Sequence, residues 1–183
     1  MQPTVQDAQA PLRILYKQTP ALAMVTDHAR TAGTVATDPF HSVVEPMDGC
    51  RVSVPVGVHR ALGGPHDAPT PGDLLCAALA ACQDSAVRMV ANRLGIEILA
   101  LEVRVTAQVD VRGALGMAPG IPVGFQSMAC AVDLQVHPDA PAKLVDALVS
   151  AAQRCCVVQQ TLTHPPPITT RFRLAPHAAT DRV

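Results

Sequence analysis

Leu99–Arg112 reads as one long strand, its apolar and polar residues alternating in twelve steps from Leu101. Leu101, Val103, Val105, Ala107, Val109 and Val111 fall on one side, and Glu102, Arg104, Thr106, Gln108, Asp110 and Arg112 on the other. Period two is the mark of a half-buried strand, and twelve residues at ~3.3 Å each make one about 40 Å long. Such a strand needs a neighbour along its edge and an apolar cover on its dry face. Phe125–Val136 supplies the neighbour, with Met128, Cys130, Val132, Leu134 and Val136 inward, after a Gly/Pro loop over Gly113–Gly124. Two successive strands joined in this way predict an antiparallel pair. The cover comes from a long helix upstream. Thr70 is its cap, Pro71 its first residue, Asp73 lies in its first turn and Gly95 stops it. Its apolar stripe reads Leu75, Leu79, Cys82, Ala86 and Met89, a narrow arc at ~100° per residue.

Further elements flank this nucleus. Val52, Val54, Val56 and Val58 alternate as a strand, with Pro55 marking an edge. Tyr16–His28 reads as a helical turn around Pro20, followed by extended chain to about Ala36, and Asp48-Gly49 marks a turn. Pro138 is expected to open a second helix with stripe Leu144, Leu148, Ala151 and Cys155, followed by a short helical piece over Val157–Leu162. Pro165-Pro166-Pro167 ends helical structure. Ile168–Leu174 reads as a last strand, with Ile168, Thr170, Phe172 and Leu174 on one side. Met1–Pro11 and His177–Val183 read as loose ends. The order of strands, long helix, two long strands, helix and strand predicts an α+β fold in a single domain, residues 1–183, with its core between about 20 and 175.

Composition removes several function classes. Hydrophobic residues make up 49% and the net charge is −1, so neither a disordered chain nor a basic nucleic-acid binder is expected. Aromatics are 2% with no Trp, too few for a base-stacking platform. No run approaches the ~18 apolar residues of a membrane span, and the N-terminus lacks a secretory pattern, so no membrane and a cytoplasmic location are expected. Neither Cys-x-x-Cys nor His-Glu-x-x-His occurs, and the seven histidines are scattered, so no metal is expected. Gly63-Gly64 opens no phosphate loop and no Ser sits in Gly-x-Ser-x-Gly, so no cofactor and no hydrolase elbow are expected.

The six cysteines then carry the question of chemistry. Cys130 and Cys155 fall on apolar faces and read as core fillers, as does Cys50 beside Val52. Cys76 lies about 80–100° off the stripe of its helix and nothing marks it further. Cys82 lies in a stripe, but the stripe is thin, flanked by Ala78, Ala80, Ala81 and Ala86, and Gln83, Asp84 and Ser85 follow it as potential site residues. Cys156 sits ~100° from Cys155, off the stripe and at a helix start, where the helix dipole favours thiolate. Spacing alone leaves both a Cys82–Cys156 redox pair and simple packing open.

Leu62-Gly63-Gly64 and then Pro71-Gly72-Asp73-Leu74-Leu75-Cys76-Ala77-Ala78-Leu79-Ala80-Ala81-Cys82 resemble the first cysteine motif of the OsmC/Ohr family, the osmotically inducible and organic hydroperoxide resistance proteins. Cys156-Val157-Val158-Gln159-Gln160-Thr161-Leu162 is similar to its second motif, and the likeness spans about Val52 to Leu174. The resemblance implies antiparallel sheets around long central helices in an intertwined homodimer, with active sites at the interface. It implies that Cys82 is the peroxidatic thiol and Cys156 the resolving one. It further implies an organic hydroperoxide substrate and an external dithiol reductant. Two positions depart from the family pattern. Gly72 stands where a Glu usually holds an Arg beside the thiolate, with Asp73 next to it as a shorter substitute; Arg30, Arg51 and Arg60 are the candidates for that Arg. Val157 stands where Pro is common. The alternative implied by Gly72 is a non-catalytic dimer that binds a small apolar ligand or acts as a redox sensor.

Overall fold

The computed structural model describes residues 4–31, 35–47 and 49–174. Its spine is helix α2, Pro71–Leu94. The Thr70 hydroxyl accepts the Asp73 N–H at 3.2 Å, while the Asp73 carboxylate accepts the Thr70 N–H at 2.8 Å, so the reciprocal capping box satisfies the first turn. Gly95 ends the helix at φ +69°, a left-handed conformation that a residue with Cβ rarely adopts. By length and a mean hydropathy of 1.4 over its most apolar window α2 is apolar enough to cross a membrane, although Gln83-Asp84-Ser85 and Arg88 break its apolar run. It forms the core instead: Leu79, Gln83, Ala86, Val87, Val90 and Ala91 are buried.

Strands β4 (Ile98–Gln108) and β5 (Ser127–Val136) form the antiparallel pair, in register Leu101↔Leu134, Val105↔Cys130 and Gln108↔Ser127. An irregularity between Ile98 and Ala100 starts the ladder. The dry face covers α2 through Ile98, Leu101, Val105, Met128, Leu134 and Val136. The alternation continues past the strand, but the ladder stops at Gln108. Asp110 accepts the Arg112 N–H and caps a short helix α3, Val111–Ala114, which takes Val111 out of the sheet.

Helix α4 (Ala142–Cys155) packs Leu148 and Ala152 onto α2, and α5 (Val157–Thr163) follows after Cys156. The helix starts after Pro141 and not at Pro138, because Pro138 leads a turn in which the Ala140 N–H donates to His137. Three short strands, β1 (Ala29–Thr31), β2 (His41–Pro46) and β3 (Val54–Gly57), make a separate antiparallel sheet in sequence order. Backbone bonds from Gly57 to Pro69 and from His66 to Val58 tie it to the approach of α2. A single 3-10 turn, Pro20–Ala23, occupies the region expected around Pro20.

Two terminal expectations are corrected. The segment read as a loose N-terminus contains helix α1, Val5–Gln18, capped by Thr4 and Asp7 and pinned to α2 by the Val5 N–H on Asn92 Oδ1 at 2.8 Å. The expected strand Ile168–Leu174 has no ladder within the chain: Ile168, Phe172 and Leu174 are 89%, 86% and 90% exposed. The pattern is that of a strand, but among the described residues it pairs with no other strand. Asp48 of the expected turn and the expected loose end His177–Val183 lie outside the described residues.

Candidate functional site

Cys156 is the joint between two helices. Its backbone is extended (φ −75°, ψ 99°), yet its N–H donates to Ala152 at 3.1 Å and its carbonyl accepts from Gln160 at 2.9 Å. The chain therefore turns without losing backbone bonds, and the side chain swings inward. Cys156 is 0% exposed and packs in the core cluster, where half-buried Cys82 of α2 meets it. Cys82 and the Gln159 N–H both lie close enough to the Cys156 thiol to act on its pKa, the first upward and the second downward. Two residues 74 positions apart in the sequence are thus brought into one cluster.

Three expectations for the cysteines change. Cys155, read as a core filler, is exposed, and Cys156, read as off the stripe, is buried. Leu148, Ala152 and Cys156 follow an i, i+4, i+8 spacing, so the buried line rotates past Cys155. Cys130 keeps the inward face, opposite Val105, but is exposed there on the wall of a cavity and not packed as a core filler. The Cys156 thiol is not acidified by its helix start. Burial pushes its pKa up, neighbouring Cys82 and Cys130 push it the same way, and the opposing Gln159 N–H is outweighed. Met89, placed in the stripe, is 45% exposed. Cys50, half-buried, sits in a turn with its sulfur 3.0 Å from the Pro46 carbonyl.

Asp73 is occupied. Its carboxylate accepts from the Thr70 backbone and hydroxyl, in that order the causes that hold its pKa below the usual value, so it serves the helix end and not an arginine. Arg30 pairs with Glu45 across β1 and β2 at 2.6 Å. Arg51 is exposed at φ 56° and Arg60 is exposed in a 3-10 turn. None of the three lies on the helices that carry Cys82 and Cys156. At Gly72 a Cβ would come within 3.0 Å of the Phe125 ring tip, so the missing side chain makes room for Phe125.

That ring separates two cavities. One, of about 700 Å³, opens between α2, β5 and the α4–α5 pair, lined by Leu79, Gln83, Met128, Cys130 and Gln159 among others. The other, of about 1060 Å³, lies beside the start of α2, lined by His59, Leu62, Val109 and Val123 among others. Leu75, Gly124 and Phe125 border both. The first cavity adjoins the two cysteines, since Gln83 follows Cys82 in the chain and Gln159, which also lines it, acts on the Cys156 thiol. Gln83 was noted in the sequence only as a polar neighbour of Cys82. Its burial is readable from Leu79, Gln83, Ala86, Val87 and Val90, a better helical face than the one ending at Met89. Among the described residues no group of three or more His, Cys, Asp or Glu is arranged to hold a metal.

An α+β chain with a long capped core helix, an antiparallel pair across it and two remote cysteines gathered in one core cluster defines a class. The OsmC-like protein family matches residues 64–171, more than half of the chain, and the chain belongs to that family. Among curated proteins no sequence matches. The solved OsmC-like protein from Mycoplasma pneumoniae superimposes with a TM-score of 0.60 at 12% identity, covering 77% of this chain and 89% of that one. An organic hydroperoxide resistance protein OsmC from Legionella pneumophila gives 0.50 at 24% identity, covering 76% and 90%. One from Elizabethkingia anophelis gives 0.52 at 21% identity, covering 75% and 89%. At these identities the likeness fixes the fold.

Proposed function

We propose that the protein is a thiol-dependent reductase of organic hydroperoxides, working as a homodimer in a reducing, cytoplasmic setting. The observation that carries this reading is that Cys82 and Cys156 are brought together in one packed cluster. The Cys82 thiolate attacks the terminal peroxide oxygen; the O–O bond breaks, alkoxide leaves and takes up a proton as alcohol, and Cys82 becomes a sulfenic acid. The Cys156 thiol displaces water from that sulfur to form a disulfide. An external dithiol reduces it and is itself oxidised to a disulfide. Burial keeps Cys156 protonated at neutral pH, which leaves the first attack to Cys82. The neighbouring cavities suit an alkyl chain.

Surface area supports the dimer. The chain exposes 14129 Å². A compact monomer of 19.2 kDa exposes about 8400 Å². The test is consumption of cumene hydroperoxide with dithiothreitol present. Wild type turns over, Cys82→Ser does not, and Cys156→Ser stalls after one equivalent with a sulfenic acid on Cys82. Equal rates for wild type and Cys82→Ser would remove the reading. One observation favours the second reading, a non-catalytic dimer that binds an apolar ligand or senses redox: Asp73 is committed to the helix cap. Alkylation of Cys82 no faster than that of a free thiol at neutral pH would support it.

A further inference from the structure

The peroxidase reading uses two cysteines and leaves a third beside them. Cys130 sits on the inward face of β5, opposite Val105. Val105 and Met128, on that same face, pack against the core cluster that holds Cys156, as Cys82 does from α2. Cys130 lines the cavity of about 700 Å³. The residues that share this lining flank the other two thiols: Leu79 and Gln83 bracket Cys82, and Gln153 and Gln159 stand three residues either side of Cys156. Cys130 also lies close enough to Cys156 to act on its thiol. The three differ in access, since Cys156 is 0% exposed, Cys82 is half-buried and Cys130 is exposed. A disulfide between Cys82 and Cys156 therefore has one sulfur sealed in the core, and exchange runs only where a thiolate reaches the attacked sulfur. The remaining cysteines are placed differently. Cys155 is exposed on the far side of the buried line, Cys50 lies in the turn after β2, and Cys76 lines neither cavity.

We propose that Cys130 is a third redox thiol of this protein, which takes over the disulfide from Cys82 and presents it to the reductant. The Cys130 thiolate attacks Cys156 Sγ. The Cys82–Cys156 bond breaks, the Cys130–Cys156 bond forms, and Cys82 leaves as thiolate. The proton that Cys130 lost on ionising balances the charge released on Cys82, and no electrons enter or leave. Cys82 is then free for a second peroxide, while the disulfide ends on exposed Cys130. There the external dithiol attacks Cys130 Sγ, displaces Cys156 and is itself oxidised to a disulfide. Desolvation pushes the Cys130 pKa up, so at neutral pH it holds its proton, leaves the peroxide to Cys82 and enters through its minor thiolate fraction. The oxidant that makes the first disulfide rests on the peroxidase reading; the pairing of Cys130 with Cys156 does not.

The experiment begins with full-length Cys82→Ser/Cys155→Ser, reduced and then oxidised with diamide, which needs no peroxide chemistry. Cys155 is replaced because trypsin, cutting after Arg154, leaves it on one peptide with Cys156. After alkylation of the free thiols, mass mapping is expected to find the Cys130 and Cys156 peptides joined, in protein that runs as a single chain on a non-reducing gel. Cys130 recovered alkylated, with no such link, would overturn the pairing. The second arm compares wild type with Cys130→Ser, both oxidised with diamide and then reduced by dithiothreitol in quenched time points. The disulfide of Cys130→Ser is expected to be reduced roughly tenfold more slowly, because access to the attacked sulfur sets the rate. Equal rates would overturn the relay. A variant that merely loosened the fold would be reduced faster, so slowing separates a chemical role from a structural one. Turnover of cumene hydroperoxide is followed in parallel, and Cys130→Ser is expected to consume the first equivalent at the wild-type rate. A Cys130–Cys156 link with slowed reduction but no turnover in wild type would sink the peroxidase reading and keep the relay. Turnover with no link and unchanged reduction would do the reverse.

Discussion

Dilution is the perturbation that tests the assembly most directly. The chain exposes 14129 Å². That is about 5700 Å² more than a compact monomer of its mass presents. Sixteen residues lie outside the described segments. Fully exposed at about 150 Å² each, they would account for roughly 2400 Å² of the excess, leaving about 3300 Å². Covering that area on each of two chains makes an interface of the obligate class, larger than ~2000 Å² in total. In the proposed dimer, folding and association would be one event. The unfolding midpoint must rise with protein concentration, because the folded dimer gains by mass action against two unfolded chains. Each tenfold change in concentration is worth ~1.4 kcal/mol. With a denaturant slope of about 4–5 kcal/mol/M for two chains of this length, the urea midpoint shifts by about 0.3 M per decade. The assay is urea unfolding followed by circular dichroism over three decades of concentration, with mass from light scattering in parallel. A species of 19.2 kDa whose midpoint does not move would refute the reasoning.

Further predictions concern single residues. Leu148 is 0% exposed against α2, so Leu148→Ala should cost about 3 kcal/mol in denaturant unfolding at fixed protein concentration. In native protein treated briefly with iodoacetamide, mass spectrometry should find exposed Cys155 modified early and buried Cys156 last; comparable rates would contradict the inward turn at the α4–α5 joint. His41 bridges Asp38 at 2.8 Å and Asp67 at 3.1 Å, and those bonds, the Asp38 bond foremost, raise its pKa above 6.5. A raised pKa stabilises the folded state fully below 6.5 and loses that contribution as pH climbs through the folded value. Stability of wild type relative to His41→Gln should therefore decline from pH 6 upward, by a small amount because the cluster is exposed; a difference that is flat in pH would refute it.

The fold was legible wherever one element carries its own period. Thr70, Pro71, Asp73 and Gly95 delimit α2 to the residue, because capping chemistry is local. The β4–β5 pair follows from an alternation that survives over a full strand. What sequence could not supply was the angle at which a helix faces its neighbours. A stripe through Cys82 and Met89 and a face through Gln83 and Val90 differ by one residue, or ~100°, and packing against β4 and α4 chose the second. The same ambiguity exchanged Cys155 and Cys156, since a helix ending between two adjacent cysteines does not say which one turns inward.

The terminal strand expectation failed for a different reason, and that reason joins the predictions together. Ile168, Thr170, Phe172 and Leu174 keep a strand's alternation while Ile168, Phe172 and Leu174 stand almost wholly in solvent. A two-stranded sheet and a three-stranded sheet each leave open edges among the described residues. Alternation describes what a segment is prepared to pair with, not whether the partner edge belongs to the same chain. An apolar extended segment and unpaired edges on one molecule are complementary surfaces, and two copies can satisfy both. Deleting residues 168–183 should therefore weaken association itself. The truncated chain is expected to scatter as a smaller or polydisperse species at concentrations where the full chain is dimeric. An unchanged dimer with an unchanged urea midpoint would show that the cover for the excess surface comes from elsewhere in the chain.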